Sequence, residues 1–175
     1  MQDLVLKKVA IEYCDGILSY KDEFIYNNES MDGTGFLRNA NSPQEYIEKS
    51  LLNETEEVDG GKVTATQLLA IRKSDNCIVG MIQIRHFLND YLLQYGGHIG
   101  YSVRKSERNK GYAKEELRQA LTYCKDILHI SRVLLTCDND NLASQKTILA
   151  QGGKKENEVV MKDDNCVVER YWIDL

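Results

Sequence analysis

The residues whose types and spacing best suit ligand chemistry lie between a predicted strand, His98–Val103, and an amphipathic helix beginning near Ala113. A turn that opens a helix leaves backbone N–H groups without intrahelical partners, and the helix dipole adds positive charge there. Glycine in such a turn lets the backbone approach a bulky phosphate, which a Cβ would obstruct. We therefore predict a site for a diphosphate-bearing ligand, formed by Arg108, Asn109, Lys110, Gly111, Tyr112 and Ala113.

Apolar periodicity and turn residues place this run within an alternation of strands and helices. One helix start is especially clear, because Ser42 can cap, Pro43 suits the first helical position and Glu45 can complete a capping box. The element order indicates a mixed α/β domain built on one central sheet. The predicted strands are 4–10, 64–72, 77–87, 98–104, 132–137, 154–161 and 166–173, and the predicted helices are 11–27, 43–53, 113–129 and a segment from 138–141 to 152–153.

Length and composition limit the class of protein. At 175 residues and 20.0 kDa the chain is predicted to form a single domain, residues 1–175. The net charge of −5 argues against nucleic acid as the main partner. The N-terminus lacks the order of a signal peptide, and no apolar run reaches the ~20 residues that span a bilayer. The cysteines are scattered along the chain, which predicts reduced thiols and a cytoplasmic location. The histidines and cysteines do not have the spacing of metal ligands, so we predict no metal site.

These elements and motifs resemble the GNAT superfamily of acetyl-coenzyme A-dependent N-acetyltransferases over most of the chain. The pyrophosphate signature of the superfamily is Gln or Arg, two residues, Gly, one residue, then Gly or Ala, and it is matched by Arg108, Gly111 and Ala113. A second block, Asn141–Gly152, is similar to the Asn-containing helix that follows the family's fifth strand. The resemblance implies a mostly antiparallel, twisted sheet of about seven strands with about four flanking helices and splayed fourth and fifth strands.

The resemblance also implies which residues hold acetyl-coenzyme A, here a co-substrate. The turn before the helix would bind the diphosphate, and the splayed fourth strand would offer backbone groups to the pantetheine arm. Asn141 would either cap its helix or hydrogen-bond the coenzyme. The coenzyme-binding residues implied in this way are Tyr101, Val103, Arg108, Asn109, Lys110, Gly111, Tyr112, Ala113, Asn141 and Ser144.

Acetyl transfer to an amine also requires a group that removes a proton from the ammonium. His98 lies on the strand that should border the thioester, and its unperturbed pKa of about 6.5 suits a base at neutral pH. The alternative is a strand-edge histidine that only satisfies a backbone group. Glu23 and Glu29 are further candidates, because they lie near the variable segment 28–62 that should shape the acceptor site.

The acid that protonates the departing thiolate is less clear from the residues. Many GNAT enzymes carry a tyrosine seven positions after the helix-opening Asn, where this chain has Ile148. The role must therefore pass to Tyr171, Tyr112, a water or no group at all. A covalent route through Cys137 is conceivable, but a packed thiol is the favoured reading of that residue.

The sequence therefore predicts an N-acetyltransferase that moves an acetyl group from acetyl-coenzyme A to a primary amine in a ternary complex. Its expected partners are acetyl-coenzyme A, an amine acceptor and, in a homodimer, a second copy of the chain. The alternative from another class is a non-catalytic acyl-coenzyme A-binding or sensing domain, which the isoleucine at the acid position suggests. A dinucleotide-binding enzyme ranks last, because GxGxxG does not follow the first strand.

Overall fold

The computed structural model describes residues 3–56, 63–161 and 166–175. Each predicted strand and helix is present there, whereas residues 57–62, the end of the variable segment 28–62, lie outside the described residues. The predicted first helix is divided into a 3-10 turn, Ile11–Tyr13, and an α-helix. The main elements are β1 (Leu4–Lys8), α1 (Cys14–Tyr26), α2 (Pro43–Leu52), β2 (Ala65–Arg72), β3 (Cys77–Arg85), β4 (Ile99–Val103), α3 (Tyr112–Asp126), β5 (Arg132–Asp138), α4 (Leu142–Leu149), β6 (Lys154–Val160) and β7 (Val167–Asp174).

The strands form two antiparallel ladders, ordered β1-β2-β3-β4 and β5-β7-β6. The predicted single sheet is therefore divided between β4 and β5, the pair predicted to splay. The two ladders are joined at His98, whose backbone N–H donates to the Leu134 carbonyl at 2.7 Å and whose Nδ1 accepts from Leu134 N–H at 2.9 Å. Beyond this junction the strands leave a space that hydrogen bonds between described residues of β4 and β5 do not close.

Apolar side chains cover both faces of the four-stranded sheet. On β3, Met81 packs in the cluster that includes residues of α1 and α2, whereas the next residue, Ile82, packs in the cluster with α3 and α4. This alternation follows from the two-residue period of a strand. The central strands are therefore fixed from both sides, and the splayed edge is held on a rigid core.

The two helix starts singled out in the sequence behave differently. At α2 the Ser42 hydroxyl accepts from Glu45 N–H at 3.1 Å, which confirms the predicted cap. The Glu45 carboxylate accepts from Asn41 N–H at 2.7 Å, one residue before the expected partner. Helix α3 begins at Tyr112 and not at Ala113, because Gly111 itself occupies the N-cap position.

Candidate active site

A cavity of about 620 Å³ lies where β4 and β5 part. Its volume is in the range of pockets that hold small molecules and cofactors. Its walls come from β4, the ends of β3 and β5, the segment after α1, and the starts of α3 and α4. Six of the predicted coenzyme-binding residues line it: Tyr101, Val103, Arg108, Ala113, Asn141 and Ser144.

One end of the cavity is the turn Arg108–Ala113, which we call the phosphate end. Gly111 adopts a left-handed conformation there with φ of 84°, and no side chain of the described residues caps α3. Asn109 is also left-handed, with φ of 62°, a conformation that asparagine tolerates better than most residues. The N–H groups of the first turn of α3 therefore lack a side-chain cap, a geometry that suits an anion, and the phosphate site stays a prediction.

Arg108 is the basic side chain that lines this end of the cavity. Its Nε donates to the Val103 carbonyl at 3.0 Å, and its two Nη atoms bind the Glu29 carboxylate at 2.5 and 3.0 Å. The hydrogen bonds from Arg108 lower the pKa of Glu29. Lys110 instead pairs with Glu107 at 2.9 Å and does not line the cavity. Arg108 therefore lies beside the start of α3 with its guanidinium held by the Glu29 carboxylate.

The remaining predicted residues of the turn shape it from outside the cavity. Asn109 and Gly111 supply the two left-handed backbone positions. Tyr112 is buried, and its hydroxyl accepts from Arg72 Nη1 at 3.3 Å. Tyr112 therefore anchors the start of α3 on the N-terminal sheet, away from the cavity wall that the described residues form.

The residues that line the cavity include a pair of hydroxyl groups in contact with each other. The Tyr101 hydroxyl lies 3.0 Å from Ser144 Oγ, and burial raises the pKa of Tyr101 to about 12. The Asn141 side chain accepts from Ser144 N–H at 3.1 Å and caps α4, which is one of the two roles predicted for it. Ile148 is fully buried in the core, so the position expected to supply a tyrosine presents no group to the cavity. Tyr101 and Ser144 are protic groups that the cavity does contain.

His98 joins the two sheets and is not one of the residues that line the cavity. Burial, together with the charge of Arg85, lowers the pKa of His98 to about 4. Because Nδ1 accepts from Leu134 N–H, the neutral ring carries its hydrogen on Nε2 and has no second free lone pair. This geometry matches the alternative of a strand-edge histidine that satisfies a backbone group. The catalytic role of His98 stays a prediction.

Tyr171 and Cys137 differ in their access to the cavity. Tyr171 is buried away from the lining residues, where burial raises its pKa and its hydroxyl donates to Glu169. Its role as an acid stays a prediction. Cys137 does line the cavity, but burial raises the pKa of its thiol to about 11. A neutral thiol is a poor nucleophile, which agrees with the packed-thiol reading.

The opposite end of the cavity, which we call the far end, is formed by Asp32, Gly33, Arg85, Tyr95 and Gly100. Only the general location of this end was expected, since segment 28–62 was predicted to shape an acceptor site. The glycine in Asp32-Gly33 was the available signal, because its φ of 71° and its packing on Gly100 fix the loop. Arg85 carries no local signal, since it is simply the last residue of a strand.

Other kinds of site are not evident in the described part of the chain. No group of histidine, cysteine, aspartate or glutamate side chains there could hold a metal ion. None of its helices has the length and apolar content to cross a bilayer.

The sequence model of the family described as "Acetyltransferase (GNAT) domain" matches residues 4–154. The chain belongs to the GNAT acetyltransferase family. Two Bacillus subtilis (strain 168) relatives are described as uncharacterized N-acetyltransferases. YjdG is 38% identical over 50 residues, or 29% of this chain and 30% of its own length. YnaD is 24% identical over 92 residues, or 53% of this chain and 52% of its own length. The chain therefore matches about a third of the length of YjdG and about half of the length of YnaD.

Solved GNAT structures show the same fold over nearly the whole chain. The ribosomal-protein-S5-alanine acetyltransferase from Vibrio fischeri is 13% identical with a TM-score of 0.70, covering 99% of this chain and 94% of that one. The spermidine N-acetyltransferase from Vibrio cholerae, in complex with CoA and spermine, is 14% identical with a TM-score of 0.68, covering 99% and 96%. At these identities the likeness concerns the GNAT fold and not the acceptor.

Proposed function

We propose that the chain is an N-acetyltransferase that moves an acetyl group from acetyl-coenzyme A to a primary amine by direct transfer in a ternary complex. The observation that carries the proposal is the uncapped start of α3, which opens on a cavity between two splayed strands. Helix N-termini of this kind bind phosphate groups. Enzymes of the GNAT family use acetyl-coenzyme A, which supplies an activated thioester.

The residues at the phosphate end fit the diphosphate of the coenzyme. Gly111 has no Cβ to obstruct the approach, and Arg108 adds a guanidinium that suits phosphate oxygens. Tyr101 and Val103, on the splayed edge of β4, would hold the pantetheine arm together with Asn141. With the thioester held in this way, the cavity walls would exclude water and orient the carbonyl toward the amine.

The proposed proton donor to the departing thiolate is the Tyr101–Ser144 hydroxyl pair. Both hydroxyls line the cavity and are within hydrogen-bond distance of one another, so a proton lost by one can be replaced through the other. In this proposal the pair replaces the tyrosine acid of many GNAT enzymes, whose position is Ile148 in this chain. Tyr171 is a poorer candidate because its hydroxyl already donates to Glu169.

For the ammonium proton we assign Asp32 ahead of His98. Asp32 lines the cavity, whereas the Nδ1 lone pair of His98 is used by Leu134 N–H. Glu23 and Glu29 are held by arginines, Glu23 by Arg104 at 2.5 Å. A carboxylate without a cationic partner can accept a hydrogen bond from the ammonium and hold the amine near the thioester.

The test is an acetyl-coenzyme A thiol-release assay over a broad panel of amines, with coenzyme affinity measured by calorimetry. Tyr101→Phe is expected to reduce turnover by about a hundredfold, because a positioned acid contributes on that order, with little change in coenzyme affinity. Tyr123→Phe is the matched control, since Tyr123 packs at the edge of the core outside the cavity.

Two results would oppose the proposal in different ways. Coenzyme binding without turnover on any amine would favour the non-catalytic acyl-coenzyme A-binding domain. Absence of coenzyme binding would remove the assignment of the phosphate end as well.

A further inference from the structure

We propose that the far end of the cavity binds an acceptor that carries a carboxylate as well as the reacting amine, as an amino acid does. Arg85 would hold the carboxylate and Asp32 would hold the ammonium. The proposal rests on the acetyltransferase function proposed above and names the chemical class of its acceptor.

Arg85 is a largely enclosed cation whose hydrogen-bonding capacity is only partly used. Its Nη1 donates to the carbonyls of Gly96 and Gly97 at 2.8 and 3.0 Å, which fixes the guanidinium plane. Its Nε and Nη2 donate to no acceptor among the described residues, and no carboxylate in them forms an ion pair with it. An enclosed cation without an anion is costly, and burial lowers the pKa of Arg85. A carboxylate ligand would supply the missing anion through two parallel hydrogen bonds.

The guanidinium of Arg85 lies on the cavity wall, together with Gly100 and Tyr95. A Cβ at Gly100 would lie 3.6 Å from Arg85 Nη2, an ordinary contact distance, and 3.1 Å from the Gly33 nitrogen. The absent side chain therefore lets the Gly33 loop pack on β4 beside Arg85, whose unused donors belong to a residue that lines the cavity.

Asp32 is held near Arg85 by its own backbone and by its neighbour. The Ser102 hydroxyl donates to the Asp32 carbonyl at 2.5 Å, and Gln67 Nε2 donates to the Gly33 carbonyl at 2.9 Å. The only hydrogen bond to the Asp32 carboxylate from the described residues comes from the Ser30 hydroxyl, at 3.3 Å. Burial lowers the pKa of Arg85, and the charge of Asp32 is one of the smaller influences that oppose this shift, yet the two side chains form no ion pair in the described chain.

The far end therefore presents one cation and one anion to the same cavity without pairing them. A zwitterion can satisfy both charges at once, with its carboxylate on Arg85 and its ammonium on Asp32. A polyamine would instead bring a second positive charge toward Arg85, and like charges in an enclosed site are unfavourable. The arrangement favours amino-acid-like acceptors over polyamines.

The test compares acceptors that differ only in the carboxylate. Glycine, β-alanine and 4-aminobutyrate are each assayed beside the corresponding amide by thiol release, with spermidine as the polyamine. These acids place the carboxylate at increasing distances from the amine. In the wild-type protein we expect at least one acid to exceed its amide by about tenfold or more in kcat/KM, the range of a charge-assisted contact.

Arg85→Met should remove that preference by lowering kcat/KM for the acid about tenfold while changing that for the amide about twofold or less. Arg85→Lys should restore part of the preference because it keeps the charge, and Arg132→Met is the control for loss of an arginine outside the cavity. Coenzyme affinity should be unchanged in all three. If Arg85→Met does not fold, the inference is tested by the ratio of kcat/KM for the acid to that for the amide, compared between the wild type and Arg85→Lys.

Equal or better transfer to the amides and spermidine would overturn this inference and leave the proposed function intact. Coenzyme binding without transfer to any amine would overturn the proposed function, and this inference with it.

Discussion

The phosphate end is formed by one short run of the chain, Arg108–Ala113, in which Arg108 and Ala113 line the cavity and the backbone at Gly111 opens the helix. The far end differs, because Asp32 comes from the loop after α1 and Arg85 from the end of β3. Its proposed ligand contacts are made by these two charged side chains. The first arrangement exists as soon as α3 forms with Gly111 at its start. The second exists only when the loop packs on the sheet, so the two ends should respond differently to substitution.

The largest effect is expected from Gly111→Glu at the phosphate end. The new side chain places a negative charge where the diphosphate should bind, and the left-handed backbone adds about 1–2 kcal/mol of strain. Calorimetry should show loss of coenzyme A binding by more than about a hundredfold.

Gly152→Glu is the matched control for that strain. Gly152 is also left-handed, with φ of 85°, and a Cβ there meets nothing within 4 Å. Its variant should bind coenzyme A normally. If Gly111→Glu also binds normally, the phosphate assignment is wrong and the contrast between the ends disappears.

A second, intermediate effect concerns His98, which joins the sheets close to the far end. Its pKa of about 4 lies below the ordinary 6.5, so the folded state binds fewer protons than the unfolded state between these values. The stabilisation is present above pH 6.5 and is lost as pH falls toward 4, by up to about 3 kcal/mol.

Urea unfolding at several pH values should show this loss in the wild type and much less of it in His98→Asn, whose amide oxygen can still accept from Leu134 N–H. His129→Asn is the control, since His129 is exposed with a left-handed backbone that asparagine tolerates. If turnover follows the titration of His98 and stability does not, the catalytic prediction for this residue is favoured over the structural one.

The smallest effect is expected from Glu29→Gln, which tests whether the two ends are coupled. Glu29 lies on the loop that also carries Asp32, and it holds Arg108. Without the carboxylate, Arg108 is freed for the diphosphate, so coenzyme A should bind severalfold more tightly, about 1 kcal/mol. Calorimetry measures the coenzyme A affinity of the variant. A change in the KM for the acceptor would show that the far end is affected as well. Weaker coenzyme binding would mean that Glu29 positions Arg108 and does not compete for it.

The contrast also explains how much could be predicted from the sequence. The strands, the helices and the glycine turn before α3 were predicted because they depend on local periodicity, capping and glycine positions. The splayed pair was expected only from the resemblance to the GNAT superfamily. The exact start of α3 was missed by one residue because Gly111 serves as the cap itself. The division of the sheet at His98 could not be predicted, since a histidine side chain replaces a backbone partner there.

The far end could not be predicted from the sequence, for a physical reason. Arg85 gains its environment from the carbonyls of Gly96 and Gly97, and Asp32 from Ser102 and the packing of Gly33. These contacts join segments distant in the chain, and a single sequence does not encode them in any local spacing. Tyr101 and Ser144 were predicted as coenzyme contacts, but their hydroxyl pair was missed because it depends on how α4 packs on β4.

The contact between Gly33 and Gly100 leaves the loop and the strand with no side chain to absorb change. A Cβ on Gly33 would lie 2.2 Å from the Gly100 carbonyl oxygen, so even one added methyl group must push the loop outward. Such a shift would move Asp32 relative to Arg85, and it would also reach Arg108 through Glu29 on the same loop. The spacing of the charged groups along the cavity is therefore limited by two glycines that carry no charge themselves.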